Sequence, residues 1–82
     1  MIVLLKSDTI LMEDYSVEME LYDVGNAPTS SSYDYTYEFF VRKFDGTILY
    51  FARFSDLQYA LDEYEDMFER ALQGIKFWNE KY

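Results

Sequence analysis

Two β-rich runs that flank Asp45-Gly46 constrain the fold of this 82-residue chain more than any other feature. Asp-Gly between apolar runs predicts a tight β-hairpin, because both positions of the favoured two-residue turn need a positive φ. The register follows if Phe44 lies opposite Thr47. The predicted cross-strand pairs are Val41–Tyr50, Phe39–Ala52 and Tyr37–Phe54 on one face, and Phe40–Phe51 and Glu38–Arg53 on the other.

The two faces of this hairpin differ in composition. The first face is nearly all apolar and is expected to meet a helix, whereas the second holds an aromatic pair that needs a cover. The opposite charges of Glu38 and Arg53 fall together, which favours this register. The expected residues of the second face are Phe40, Phe51, Arg42, Arg53, Glu38 and Asp34.

The segment after the hairpin carries the features of a helix start. Ser55 is the predicted N-cap, and Gln58 completes a capping box. Phe54 and Tyr59 are placed to form a hydrophobic staple. Apolar residues then recur at intervals of three and four positions, which places them in one stripe along the helix. The stripe contains Leu57, Leu61, Tyr64, Phe68, Ala71, Ile75 and Trp78.

Two ends are consistent with the helix pattern. A Schellman stop at Gly74, with Ile75 folded back on the last turn, gives a helix over about 55–73. Continuation of the same periodicity gives a helix to about 79 and leaves Phe77 on the side away from the stripe. The aromatic residues at this end can close the core, cover the aromatic pair of the hairpin or contact a second chain, with core closure the default. They are Phe77, Trp78 and Tyr82.

In the N-terminal half, apolar and polar residues alternate as in a strand with one buried and one solvent-exposed face. Val17, Met19 and Leu21 are each followed by a polar or charged residue or a tyrosine. The segment Ile10–Met12 is either a third short strand or a bulged extension of this one. Residues 25–32, rich in small polar residues, form the only linker-like stretch. The strands are predicted at about 1–6, 15–24, 33–44 and 47–54.

These patterns predict one small α+β domain over residues 1–82, in which an antiparallel sheet of three to four strands packs against one long C-terminal helix. Half of the residues are apolar and 21% are aromatic, which is ample material for a core. A chain of this length buries roughly 60–70% of the surface that it exposes when unfolded. That leaves room for one sheet on one helix, so a large enclosed active site is not expected.

The residue types that are missing exclude whole classes of chemistry. With no Cys and no His, the chain has no disulfide, no thiolate nucleophile and no usual zinc ligand. Asp34, Glu38 and Lys43 loosely resemble the acid-acid-lysine set of metal nucleases, but the hairpin register puts Lys43 on the opposite face. The sequence therefore predicts a protein that is not an enzyme and has no cofactor and no metal.

The first residues bear on the compartment. Only the four apolar residues Ile2–Leu5 lie between Met1 and Lys6. This run is far shorter than a signal-peptide core or the roughly 20 residues of a membrane span. We therefore expect a cytoplasmic protein that has no membrane partner.

Sixteen Asp and Glu residues against seven Lys and Arg give a formal net charge of −9, which excludes a basic nucleic-acid binder. The most distinctive acidic group lies on the outward face of the predicted helix, where Arg70 is the only cation nearby in the sequence. Carboxylates four residues apart lie ~6 Å apart along the axis, similar in scale to successive phosphates on a nucleic-acid strand. An ordinary solvent-facing helix surface is the competing interpretation. The group consists of Asp62, Glu65, Asp66 and Glu69, with Glu63 on its flank.

A second acidic surface is predicted on the strand at 15–24. Glu18 and Glu20 lie on its wet face, and a charge-protected strand edge explains them as well as a binding role does. If this surface and the helix carboxylates point the same way, they form one broad anionic face.

In size, net charge, aromatic content and lack of Cys and His, the chain resembles the small acidic inhibitors of phages and mobile elements: anti-CRISPR proteins, uracil-glycosylase inhibitors and anti-restriction DNA mimics. Those proteins share no common fold, so the resemblance assigns no site residue. It implies a mechanism, in which a compact negative surface fills the basic nucleic-acid channel of a target protein or effector complex and excludes DNA or RNA. If the chain is phage-encoded, its compartment is the cytoplasm of the host cell.

The sequence thus supports two hypotheses. The first is an inhibitor that binds a basic nucleic-acid-binding protein but no nucleic acid itself, through the helix carboxylates with Glu18 and Glu20 as supporting charges. The second is a non-enzymatic interaction module or self-associating adaptor, with a homodimer among its options, that uses exposed aromatic surfaces. Ionic strength separates the two, because salt screens charged contacts far more than apolar ones.

Overall fold

The structure is a computed structural model that describes residues 2–25 and 36–78. The described chain forms a four-stranded antiparallel sheet followed by one C-terminal helix, which confirms the predicted α+β class. The elements are β1 Val3–Leu11, β2 Ser16–Asp23, β3 Tyr37–Lys43, β4 Ile48–Phe54 and α1 Leu57–Leu72. The predictions that lie outside the described residues are the linker beyond Gly25, the start of the strand at 33–44, Asp34 and Tyr82.

The hairpin of β3 and β4 has the predicted register, with all five predicted cross-strand pairs present. Its turn is longer than predicted, because Lys43 rather than Phe44 pairs with Thr47, donating its N–H to the Thr47 carbonyl oxygen at 2.8 Å. Within this turn, Gly46 is the one residue with a positive φ, of 92°. Asp45 instead accepts a hydrogen bond from the Thr47 N–H at 2.9 Å. A three-residue loop that ends in glycine, with a shift of the ladder beside it, absorbs the extra residue.

β1 is longer than the strand predicted at 1–6. It continues through Ser7–Thr9, so most of the Ile10–Met12 segment belongs to the first strand rather than to a third strand or to β2. The irregularity also lies elsewhere, between Leu4 and Lys6. The polar run in the middle of β1 lacks the apolar alternation that marks a strand, but pairing with β2 holds it extended all the same. Each strand pairs with the next along the chain, so β1 and β4 are the outer strands.

The start of α1 differs from the prediction by one residue. Asp56, not Ser55, is the N-cap, and its carboxylate accepts a hydrogen bond from the Tyr59 N–H at 3.1 Å. A carboxylate at this position also interacts favourably with the positive end of the helix dipole. Gln58 is therefore one position too early for a capping box. The rings of Phe54 and Tyr59 do meet, with centroids 5.5 Å apart.

α1 ends in a Schellman motif, the first of the two predicted ends. Gly74 has a φ of 80° and donates its N–H to the Ala71 carbonyl at 3.0 Å. The Ile75 N–H donates to the Arg70 carbonyl at 2.9 Å. The alternative helix to residue 79 is wrong, because the chain has left the helical conformation before Ile75.

Replacing Gly74 with alanine is expected to lower the free energy of unfolding by about 1–2 kcal/mol, because an L-residue is strained at this positive φ. An added Cβ would meet no atom within 4 Å beyond the adjacent chain, so the cost is backbone strain alone. Urea denaturation followed by circular dichroism measures it. Gln73→Ala, at the exposed C-cap, is the control and should change the value by less than about 0.5 kcal/mol. An unchanged midpoint for Gly74→Ala would contradict the role given to this glycine.

The core lies between one face of the sheet and α1. Residues that alternate along β2 and β3 are fully buried on this face, as the predicted pattern requires. Leu57 and Ile75, predicted members of the apolar stripe, are exposed instead, and they stand at the two ends of the helix. The buried side chains of the sheet are Ile10, Val17, Met19, Leu21, Phe39 and Val41, and those of the helix are Ala60, Tyr64 and Ala71.

Phe77 and Trp78 close this core, the first of the roles predicted for the C-terminal aromatic residues. Trp78 is 7% exposed and donates its indole N–H to the Tyr15 hydroxyl oxygen at 2.9 Å. Phe77 lies edge-on to Tyr50, with ring centroids 5.4 Å apart. Because the helix stops at Gly74, the chain can turn and place both rings on the helix side of the sheet. Phe77 and Trp78 are therefore no longer candidate contact residues.

Candidate protein-binding surfaces

Four carboxylates lie on the side of α1 that faces away from the sheet. They are exposed because the helix buries Ala60, Tyr64 and Ala71 on its opposite side. Glu63 is half-buried on the flank, where the sequence places it. We call this group the acidic helix face, and its members are Asp62, Glu65, Asp66 and Glu69.

Two members of the acidic helix face have a cation partner. Arg70 Nε lies 3.0 Å from Asp66 Oδ2, one helical turn away. Lys6 of β1 forms an ion pair with Glu65 across 59 positions of sequence, a contact that the sequence did not predict. No pattern in the sequence indicates this contact, because the polar run around Lys6 has no apolar alternation. Asp62 accepts a hydrogen bond at 2.9 Å from a neutral amide of the first helical turn.

This side of the molecule keeps an excess of negative charge. With Glu63 counted, five carboxylates and two cations leave a net charge of −3. Both ion pairs are exposed, and exposed pairs contribute only about 0–1 kcal/mol and are screened by salt. A partner's arginine or lysine could therefore replace Lys6 or Arg70 at little cost in stability.

Glu18 and Glu20, the other predicted binding residues, lie on the opposite side of the molecule. Val17, Met19 and Leu21 face the helix, so the residues between them face away from it. The two acidic groups therefore point in opposite directions. The condition for one broad anionic face is not met.

Glu20 is engaged within the sheet. Its Oε1 lies 2.9 Å from Arg42 Nε on β3, and its Oε2 accepts a hydrogen bond from the Tyr22 hydroxyl at 2.8 Å. The Arg42 contact is an ion pair without the geometry of a hydrogen bond, and both of its atoms are shielded from solvent. The bond to the Glu20 carboxylate, assisted by burial, raises the pKa of Tyr22 above its ordinary value. Glu20 therefore supports the pairing of β2 with β3, whereas Glu18 remains exposed.

An aromatic row crosses the face of the sheet that points away from α1, which we call the open sheet face. Tyr22 lies edge-on to Phe40 at 5.9 Å between centroids, and Phe40 lies 4.8 Å from Phe51. The guanidinium groups of Arg42 and Arg53 stand 4.9 and 5.1 Å from the Phe40 and Phe51 ring centres. Phe51 is 41% exposed. In residues 2–25 and 36–78, no helix or strand covers this row, because α1 packs on the other face.

A buried polar contact joins α1 to β1. Tyr64 is 1% exposed and donates its hydroxyl hydrogen to Asp8 Oδ2 at 2.6 Å, with the Met19 carbonyl oxygen at 3.3 Å. Burial first, and then the Asp8 carboxylate, raises the pKa of Tyr64 far above its ordinary value. The sequence placed Tyr64 in the helix stripe but gave Asp8 no role. A tyrosine with a raised pKa stays protonated near neutral pH and does not act there as an acid or a base. The contact is therefore structural.

Over the described ranges, no three acidic side chains are grouped so that they could hold a metal ion. The one helix in that part of the chain is too short and too polar to cross a membrane. No family model, curated protein or solved structure matches the chain. On geometry and charge, the acidic helix face and the open sheet face are two candidate surfaces in the described residues.

Proposed function

We propose that this protein is a small acidic inhibitor that binds the basic nucleic-acid-binding surface of another protein and blocks DNA or RNA binding by competition. The observation that carries the proposal is the acidic helix face, where with Glu63 five carboxylates stand against two cations. A compact negative surface is steered toward basic clefts by the long-range field. The net charge of −9 on the whole chain strengthens that steering.

The spacing within the acidic helix face suits side chains that bind phosphates. Asp62 and Asp66, like Glu65 and Glu69, lie one helical turn apart, which is ~6 Å along the axis. Successive phosphates on one strand have a similar separation. Because the helix already fixes the backbone, binding has to order only the carboxylate side chains. Lysine and arginine residues arranged for a phosphate backbone could then hold this row instead.

Reversing Asp62 and Asp66 to lysine is expected to lower affinity for the target at least roughly tenfold, because it takes the net charge of this side from −3 to +1. Immobilised protein is used to capture proteins from a bacterial lysate, which are eluted in a salt gradient and identified by mass spectrometry. We expect the wild type to retain a nucleic-acid-binding protein that is released at moderate salt. Added duplex DNA or RNA should displace it.

The matched control reverses two charges outside α1, in the variant Glu13→Lys/Glu18→Lys; Glu18 was predicted as a supporting charge, but it points away from the acidic helix face and has no part in this proposal. Both side chains are exposed, so the control changes the total charge by the same amount and leaves the acidic helix face intact. It should keep target binding. A partner that binds D62K/D66K as tightly as the wild type, or that nucleic acid fails to displace, would overturn the proposal.

The open sheet face favours a second candidate function, a non-enzymatic protein–protein interaction module. The specific observation is the uncovered aromatic row, with Phe51 well exposed at one end. A partner on this face would gain affinity from apolar burial, so its binding would resist salt. Phe51→Ser would abolish that binding and D62K/D66K would not, which is the reverse of the result expected for the inhibitor.

A further inference from the structure

We propose that β1 is a self-association edge, through which two copies of the chain pair antiparallel about a two-fold axis at Ser7. The two sheets would then continue into one sheet of eight strands. The inference does not rest on the proposed inhibitor function, since this edge is separate from the acidic helix face.

β1 is an outer strand, and among the described elements it pairs with β2 alone. It is also the longest strand, with nine residues over Val3–Leu11. Its outer edge presents backbone N–H and C=O groups that a further strand can pair with. Charged side chains normally protect such an edge. The cation on this strand, Lys6, is instead engaged by Glu65 of the helix.

The same stretch exposes an unusual amount of apolar surface. Of the twelve large apolar side chains that are exposed in the described part of the chain, five lie in β1 or directly before it. Leu11 is the most exposed of them, at 86%. Four of the five are consecutive, over Ile2–Leu5, and an exposed apolar stretch of this kind marks an association surface. The five are Ile2, Val3, Leu4, Leu5 and Leu11.

A second copy fits this edge because β1 is complementary to itself. In an antiparallel pair centred on Ser7, Lys6 of each chain lies opposite Asp8 of the other. Lys6 and Asp8 both point to the helix side, where they contact α1. Directly opposed Cβ atoms lie about 4.5–5.5 Å apart, so each pair joins opposite charges. The irregularity between Leu4 and Lys6 interrupts the regular pairing there, and beyond it the exposed Leu11 of each chain would lie beside the apolar segment Val3–Leu5 of the other.

Other registers fit less well. A two-fold axis normal to the sheet pairs each side chain with one on the same face. Because side chains alternate between the faces along a strand, the axis must pass through a residue position and not between two residues. A centre at Lys6 or at Asp8 places like charges opposite each other, which is destabilising. A centre at Leu5 or at Thr9 leaves one end of β1 beyond the partner strand. The pairing of opposite charges and the full overlap of the two strands therefore both favour a two-fold axis at Ser7.

The proposed pairing also determines where the two helices lie. Because the axis is normal to the sheet, both helices lie on the same side of the joined sheet. The two acidic helix faces then stand on one side of the dimer, and the field on that side is larger than one chain produces.

Sedimentation equilibrium from micromolar to millimolar concentration tests the proposal, with a monomer–dimer equilibrium as the expected result. Leu11→Lys should weaken the dimer at least roughly tenfold, because it places a cation against an apolar segment. The side chain is so exposed that the fold is not at risk, and circular dichroism verifies this. Leu72→Lys is the matched control, at an exposed leucine in the last turn of α1, and should leave the equilibrium unchanged.

The register is tested by cysteine cross-linking, because the chain contains no cysteine of its own. In Ser7→Cys the two central Cα atoms would lie about 4.5–5.5 Å apart, within the range of a disulfide. The control Thr9→Cys lies on the same face, but its two copies would be offset by about 13 Å along the strands. A monomer at every concentration, a dimer insensitive to Leu11→Lys, or equal cross-linking of both cysteine variants would overturn the proposal.

Discussion

Replacing Phe39 with alanine is expected to lower the free energy of unfolding by about 3–5 kcal/mol, the usual loss for a buried phenylalanine. Phe39 is fully buried in β3, and its ring centroid lies 5.3 Å from that of Tyr64 and 5.7 Å from that of Tyr50. The cavity would be bordered by α1, β3 and β4, which cannot all move in to fill it. A chain of this length has roughly 4–12 kcal/mol of total stability, so the variant loses a large share.

Urea denaturation at neutral pH measures this loss, and Phe51→Ala is the matched control. Phe51 is the same residue type on the neighbouring strand, but it lies on the open sheet face and keeps 41% of its surface exposed. We expect its loss to be less than half that of Phe39→Ala, because less apolar area returns to water. Equal losses would show that the open sheet face is packed as tightly as the core, which would contradict the two-layer description.

The hairpin register could be predicted, and the helix end could be narrowed to two positions, because their determinants are local. The cross-strand contact of Glu38 with Arg53, at 3.4 Å between Oε2 and Nε, follows from a register counted across one short turn. Gly74 marks the end of α1 through a positive φ that other residues rarely adopt. In both places the residues that decide the structure lie close together in sequence, at the turn of the hairpin and at the last turn of the helix.

The contacts of β1 could not be predicted in the same way. Lys6 and Asp8 meet α1 across more than fifty positions, and a polar run in an edge strand has no periodicity that indicates a partner at that distance. The hydrogen bond from Tyr64 to Asp8 therefore has no local signature on either side. Its existence depends on the helix crossing the sheet at one particular angle, and only the packing of the core sets that angle.

The opposition of the two acidic groups, by contrast, follows from the layer architecture. In a structure of one sheet and one helix, the wet face of a strand and the wet face of the helix must point in opposite directions, because their apolar faces meet in the middle. Once Val17 and Tyr64 are assigned to a shared core, Glu18 and Glu65 cannot share a surface. A broad negative face on this fold therefore has to come from a second helix, and the pairing proposed for β1 supplies one.

Replacing Tyr64 with phenylalanine is expected to lower the free energy of unfolding by about 1.5–3 kcal/mol near neutral pH, the usual range for a hydrogen bond to a charged group. The ring and its packing stay, but Asp8 loses the hydroxyl that lies 2.6 Å from its carboxylate. Tyr59→Phe removes a hydroxyl from an exposed side chain of the same helix, and it should change the value by less than about 0.5 kcal/mol. Urea denaturation compares the two variants with the wild type.

The pH dependence of this loss tests whether the Tyr64 hydroxyl is buried and bonded to the Asp8 carboxylate in the folded protein. The pKa of Tyr64 is raised in the folded protein, so the folded state keeps a proton that the unfolded state releases above about pH 10. The stability that the hydroxyl contributes is complete below the unfolded pKa and is lost as the pH rises beyond it. The difference between wild type and Tyr64→Phe should therefore be constant near neutral pH and shrink above about pH 10. A difference that stayed constant into the alkaline range would contradict the raised pKa of the buried Tyr64 hydroxyl, and no difference at any pH would show that Tyr64 stabilises the helix through its ring alone.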